Sequence, residues 1–186
     1  MKFCMSLLAL AVSMPLYAHA ASDDRFFVDG SVGRASNSNG ESDSTVSQLD
    51  VGYRWSWFGL DVGYVDLSRA NTPIRKDQQG VVPYIYRYGS KESGVTLDAS
   101  GRWQIADHWY YEVRAGLYSW HNTFYQTYYA PTASHSKSSQ SAVSWNAGLG
   151  VGYNFTENFS LGLRYDAYHG NDQTTTPLSL TAEVRF

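Results

Sequence analysis

The sequence has 186 residues, a net charge of −3, a mean hydropathy of −0.37 and one cysteine. A charge this small and dispersed excludes nucleic-acid binding as an electrostatic strategy. Because the cysteine is Cys4, nothing beyond the first residues offers a disulfide, a thiol nucleophile or a cysteine metal site.

Lys2, an apolar stretch over residues 7–12 and the small-residue pattern Ala18-His19-Ala20 read as a cleavable secretory signal over residues 1–20. Its removal leaves residues 21–186 as one domain and, with Lys2 gone, a net charge of about −4. The apolar stretch is too short to span a bilayer as a helix, and no later run approaches the ~20 apolar residues that a helix needs. The 15 Tyr, 6 Trp and 16 Gly then stand as excesses to be explained.

From Phe26 onward the chain alternates apolar and polar residues with a period of two, eight times over. The first segment sets Phe26, Val28, Gly30 and Val32 against Phe27, Asp29, Ser31 and Gly33. The second sets Leu49, Val51 and Tyr53 against Gln48, Asp50, Gly52 and Arg54. The third opposes Phe58, Leu60, Val62 and Tyr64 to Gly59, Asp61 and Gly63, and the fourth opposes Val95, Leu97, Ala99 and Trp103 to Thr96, Asp98, Ser100 and Arg102. In the fifth, Trp109, Tyr111, Val113, Ala115 and Leu117 face away from Glu112, Arg114 and Gly116. The sixth opposes Val143, Trp145, Ala147, Leu149, Val151 and Tyr153 to Ser144, Asn146, Gly148, Gly150 and Gly152. Phe159, Leu161, Leu163 and Tyr165 against Ser160, Gly162, Arg164 and Asp166 make the seventh. The eighth sets Leu178, Leu180, Ala182, Val184 and Phe186 against Ser179, Thr181, Glu183 and Arg185. Each segment has the roughly 9 to 11 residues of a tilted membrane strand.

Alternation is shared with soluble barrels, so the choice of inner face needs other signals. Connections alternate between short (55–57, 104–108, 154–158) and long (34–44, 68–93, 119–140), as expected for periplasmic turns and outer loops. After the signal, lysine occurs only as Lys76, Lys91 and Lys137, each within a long connection. The polar face uses Gly, Ser, Asn, carboxylates and Arg, which suits a crowded lumen of rigid ion pairs. Aromatics gather at the short turns (Trp55, Trp57, Phe58, Trp103, Trp109, Tyr153, Phe155, Phe159) and again at the opposite ends (Tyr64, Trp120, Trp145, Tyr165, Tyr168), reading as two interfacial girdles. A last strand ending at Phe186 leaves no edge if it pairs with the first, and closure is obligatory in lipid. The fold expected is all-β: a membrane-spanning, up-and-down antiparallel β-barrel of eight strands.

The strand and turn rhythm, with residues 27–33 (FVDGSVG), 161–165 (LGLRY) and 180–186 (LTAEVRF), resembles the small outer-membrane barrel superfamily of the OmpA transmembrane domain, OmpX and Ail, and the neisserial opacity proteins. The resemblance implies residence in the cell outer membrane with long loops outside the cell. It implies delivery by periplasmic chaperones, and a role for Phe186 in the signal read by the barrel-assembly machinery. Val184 stands where an aromatic is often found.

The inward face predicts an ion-pair network of Asp50, Arg54, Asp61, Asp98, Arg102, Glu112, Arg114, Arg164, Asp166, Glu183 and Arg185, with Asp29 beside them. Buried charges must pair, and the interior of an eight-stranded barrel is one that side chains just fill. A narrow passive channel for small polar solutes is the alternative reading. His169, near Asp166, Asp172 and Ser179, is the residue to weigh for lipid A chemistry. A lipid A deacylase would carry Ser two residues after its His, and here Asn171 stands there. No catalytic residue, metal site or cofactor is assigned.

The long connections carry Arg69, Arg75, Lys76, Arg87 and Lys91 against Asp77 and Glu92, with Tyr84, Tyr86 and Tyr88, and then Tyr125, Tyr128 and Tyr129. These side chains suit contact with lipopolysaccharide phosphates or recognition of a host surface ligand. The function expected is that of a non-enzymatic surface protein serving envelope integrity or adhesion.

Overall fold

The computed structural model describes residues 25–37, 44–68, 72–75, 85–129, 134–170 and 173–186. The expected signal segment therefore lies outside the described residues. The strands are β1 (Arg25–Asn37), β2 (Ser44–Trp55), β3 (Phe58–Ser68), β4 (Thr72–Arg75), β5 (Ile85–Gln104), β6 (Trp109–Tyr129), β7 (Ser134–Asn154), β8 (Phe159–Gly170) and β9 (Gln173–Arg185).

They pair in the order β3-β2-β1-β9-β8-β7-β6-β5-β4, and β3 also pairs with β5. That pairing closes the sheet: eight strands form an antiparallel barrel, while β4 is a short addition to β5. The first and last strands meet along a ladder from Phe27↔Arg185 to Asn37↔Thr175, and the Phe186 N–H donates to the Phe26 carbonyl at 2.9 Å. β3 meets β5 from Phe58↔Gly101 to Ser68↔Lys91.

The alternation sorts side chains inside out. Val51, Val62, Leu97, Leu117, Leu149, Leu163 and Leu180 are exposed on the outer face, whereas Asp50, Asp98, Arg114, Arg164 and Glu183 are buried within. Exposed aliphatic side chains and buried charges are the reverse of a soluble barrel and match a wall facing hydrocarbon.

One end of the barrel carries tight turns: Ser56 and Trp57 between β2 and β3, residues 105–108 between β5 and β6, and residues 155–158 between β7 and β8. This is the turn end; the other is the hairpin end. At the hairpin end β5, β6 and β7 run to 20, 21 and 21 residues. Much of the connection expected over 119–140 is therefore ladder, from Ser119↔Val143 to Tyr128↔Ser134. The expectation that lysines stay out of strands is overturned for Lys91 in β5 and Lys137 in β7. Both lie past the apolar band, where the outer face is exposed and polar, so they meet no hydrocarbon. Lys76 lies outside the described residues.

The β2–β3 turn stores strain: Ser56 has φ of 51°, in the left-handed region where a Cβ crowds the following carbonyl. Replacing Ser56 by Gly should raise unfolding stability by about 0.5–1 kcal/mol, the balance of relieved strain and added chain entropy. Reversible urea unfolding from lipid vesicles measures this, and a loss of stability in S56G would contradict it.

Candidate functional site

The inward side chains sort into two ion-paired layers, an apolar layer and, nearest the hairpin end, a small polar layer around Glu92 and Asn122. Nearest the turn end, two arginines and two glutamates interlock. Arg54 donates from Nη1 and Nη2 to the two oxygens of Glu183, each at 3.1 Å. Arg102 donates to the same carboxylate at 2.6 Å from both Nη atoms, and from Nε to Glu112 at 2.9 Å. Flat guanidinium faces are covered by aromatic rings, Arg102 over Tyr110 at 3.9 Å and Arg54 over Phe27 at 4.5 Å, which stiffens the pairing. Arg185 completes the layer, 3.3 Å from Glu183 and donating to Asn154 Oδ1 at 2.7 Å.

The middle layer is acidic around two arginines. Arg114 meets Asp98, Asp61 at 2.8 Å and Asp50 at 3.3 Å. Arg164 meets Asp29 at 2.9 Å, Asp166 at 3.0 Å and Asp50 at 3.4 Å, and donates to Gln48 Oε1 at 3.1 Å. Asp50 thus joins both arginines. A cavity of about 10 Å³, lined by Ser100 and charged groups of both layers, lies between them. That is about the size of one water molecule.

Inward glycines make room for these carboxylates. A Cβ on Gly63 would collide with Asp50 Oδ1, one on Gly116 with Asp98 Oδ1, and one on Gly148 with Asp166 Oδ1. Close approach of carboxylate to backbone is thus one source of the glycine excess.

The third layer, towards the hairpin end, is apolar and corrects an expectation. Trp120 and Tyr168 are not part of an outer girdle: they point inward at 5% and 1% exposure and cluster with Ala35, Val46, Val65, Leu67 and Tyr118. The Tyr118 and Tyr168 rings meet edge to face at 5.2 Å. The missed signal is parity, since Tyr118 and Trp120 share the alternation of Glu112 and Arg114, and Tyr168 that of Arg164 and Asp166.

At the turn end the girdle is a run of touching rings: Phe26–Tyr53 at 4.7 Å, Tyr53–Trp55 at 4.8 Å, Trp57–Trp103 at 5.8 Å, Trp103–Tyr111 at 5.0 Å and Trp109–Tyr153 at 5.2 Å.

His169 faces outward and stacks on Trp145 at 5.4 Å, with Nδ1 3.1 Å from Thr174 Oγ1. Asp166 and Ser179 point inward and are buried, so the barrel wall separates them from His169; Asp172 lies outside the described residues. His121, also outward, has Ser141 Oγ at 2.7 Å and Thr123 Oγ1 at 3.3 Å. Among the described residues no group of three His, Cys, Asp or Glu is arranged to hold a metal.

Of the residues expected to recognise partners, Lys91 pairs with Asp66 at 3.7 Å on the outer face, and Lys137 lies 5.8 Å from the exposed Tyr125 ring. Tyr86, Arg87 and Tyr88 fall in β5, Arg75 in β4, and Tyr128 and Tyr129 in β6. Their side chains, with Arg69, Lys76 and Tyr84, lie outside the described residues. Glu92, expected to offset the basic connection, instead points inward, accepting from Tyr118 Oη at 3.2 Å and Asn122 Nδ2 at 3.3 Å.

Comparison with protein families matches residues 5–186 to the outer membrane protein beta-barrel domain. Among solved structures, neisserial surface protein A (NspA) is similar at 19% identity and a TM-score of 0.60, over 90% of this chain and 100% of that one. Ail, the attachment invasion locus protein of Yersinia pestis, solved with the heparin analogue sucrose octasulfate, is similar at 16% identity and a TM-score of 0.55, over 88% and 97%. The N-terminal β-barrel domain of Pseudomonas aeruginosa OprF is similar at 19% identity and a TM-score of 0.53, over 86% and 97%. Sequence comparison with curated proteins finds no match.

Removing Arg114 would leave Asp50, Asp61 and Asp98 without the cation they share. Arg114→Leu should therefore cost about 3–5 kcal/mol of folding stability. Lys91→Met, which breaks the exposed pair with Asp66, should cost about 1 kcal/mol or less. Urea titration of both variants in vesicles measures the contrast, and equal losses would refute it.

Proposed function

The chain belongs to the outer membrane protein beta-barrel domain family, and on that premise we propose that it is a non-enzymatic integral outer-membrane protein acting through its hairpin end. The observation that carries this reading is the length of β5, β6 and β7, which continue as paired strand well past the apolar outer band. A ladder maintained beyond the membrane presents side chains at fixed spacing, which a mobile loop does not. The filled lumen argues the same way from the opposite side. The cavity between the two ion-paired layers is about 10 Å³, roughly one water molecule, and this supports the present reading over a channel for small polar solutes.

In this reading the hairpin end faces the cell exterior and the tight turns face the periplasm, the arrangement usual for such barrels. The exposed aromatic rings at the turn end anchor one interface, and Tyr64, Trp145 and Tyr165 the other. Phe186 and the β9 strand are what the assembly machinery would read during insertion.

The chemistry at the hairpin end favours polyanions. Arg69, Arg75, Lys76, Arg87 and Lys91 lie close in sequence, and Glu92 is turned into the lumen, so it does not offset them from outside. Lipopolysaccharide phosphates and sulfated host-surface glycans both suit such a surface, with tyrosines supplying flat contact area. Envelope integrity and adhesion are the two roles it would serve.

Deleting residues 123–139 removes the top of the β6–β7 hairpin at a register pair, Thr123↔Ser139, and so leaves the barrel ladders in phase. Cells carrying this form should lose binding to a heparin-coated surface or lose serum resistance, while the heat-dependent gel mobility of the folded barrel persists. Full retention of both activities would refute a role for this hairpin.

A further inference from the structure

The layers follow one another in a fixed order on the strands that build them. On β6 the inward positions run Glu112, Arg114, Gly116, Tyr118, Trp120 towards the hairpin end; on β8 they run Arg164, Asp166, Tyr168; on β3, Asp61, Gly63, Val65, Leu67. On each of these strands the apolar residues come after the charged ones. Val46, Val65, Leu67, Tyr118, Trp120 and Tyr168 are all buried, none more than 5% exposed.

We infer that the lumen carries two seals in series, an ion-paired plug and, on its hairpin side, an apolar septum, and that either one by itself stops the passage of ions. The two tyrosines show how the septum is tied in place. Each puts its ring in the apolar layer and its hydroxyl in a polar one: Tyr168 donates to Gln48 Oε1 of the plug at 2.5 Å, and Tyr118 to Glu92 at 3.2 Å. Rings anchored at both faces stay put when one arginine is removed.

Exposure within the plug fits entry from one side. At the turn end Arg102, Glu112 and Arg185 side chains are 11%, 12% and 16% exposed around a Glu183 that is 3% exposed, whereas Asp50 and Asp98, nearest the septum, are 1% and 0% exposed. An ion travelling from the turn end would meet exchangeable partners in the plug. To go further it would have to give up hydration and cross a layer that offers chiefly ring faces and methyl groups. The septum makes no contact with Arg102 that is needed to hold it, since its tyrosines are tied to Gln48 and Glu92, so Arg102→Ala leaves it in place. This inference concerns permeation and stands apart from the role proposed for the hairpins.

Planar-bilayer recording on four forms tests it: the natural chain, Arg102→Ala, Trp120→Ala, and the two combined. Neither single variant should exceed the natural chain, and the combined form should show steps at least tenfold larger. Conductance from Arg102→Ala equal to that of the combined form would overturn the inference, as would silence of a folded combined form. A second measurement keeps Arg102 intact. With the only cysteine, Cys4, removed, single cysteines are placed at Ser90, in the polar layer beyond the septum, and at Ser100, within the plug, in oriented vesicles. A charged thiol reagent added from the hairpin side should label Ser90→Cys at once. Ser100→Cys, which lies behind both the septum and the Arg114 layer, should react only when Trp120→Ala is combined with Arg114→Ala. Prompt reaction at Ser100→Cys with the septum intact would overturn it.

Discussion

Closure of the sheet is the constraint from which the rest follows. In hydrocarbon each unpaired backbone group costs several kcal/mol, so the first strand must find the last. Here it does so along the β1–β9 ladder that runs the length of both strands, and β3 meets β5 directly with β4 set aside. Closing the sheet fixes every side chain as lipid-facing or lumen-facing. The period of two in the sequence thereby becomes a division between two solvents.

Once closed, an eight-stranded wall leaves an interior only as wide as its side chains. That width decides what can be there. Carboxylates need arginines, because a lone charge would be prohibitive away from water. The carboxylates in turn need bare backbone to lie against, which Gly63, Gly116 and Gly148 provide. The same narrowness leaves a cavity of about 10 Å³. Among the described residues the lumen is occupied by its own side chains, and in the proposed reading specificity therefore rests with the hairpins.

The barrel was legible from the sequence because strand period, turn spacing and closure are local or arithmetic signals. Each of the eight apolar-alternating segments is a strand of the barrel, and Phe26 and Phe186 do meet at its seam. Where composition and parity disagree, parity decides which way a side chain points. Aromatic character near the strand ends suggests a girdle for Trp120 and Tyr168, but their alternation with Arg114 and Asp166 places them inside. Residues 119–140 read as a long connection with aromatics and then a Ser-rich stretch, yet most of it is ladder, because pairing between β6 and β7 overrides weak intrinsic preference. Which aspartate shares which arginine was not legible at all. Asp50 and Arg164 are 114 positions apart and meet only through strand tilt and register.

In the proposed orientation the hairpin end lies outside the cell and the tight turns lie in the periplasm. Labelling intact cells with a membrane-impermeant thiol reagent tests that division most directly, using single cysteines at Ser139 in the β7 extension and at Glu157 in the β7–β8 turn. The account predicts that Ser139→Cys reacts on whole cells and that Glu157→Cys reacts only after the outer membrane is permeabilised. The reverse pattern, or equal reaction at both sites on intact cells, would contradict it.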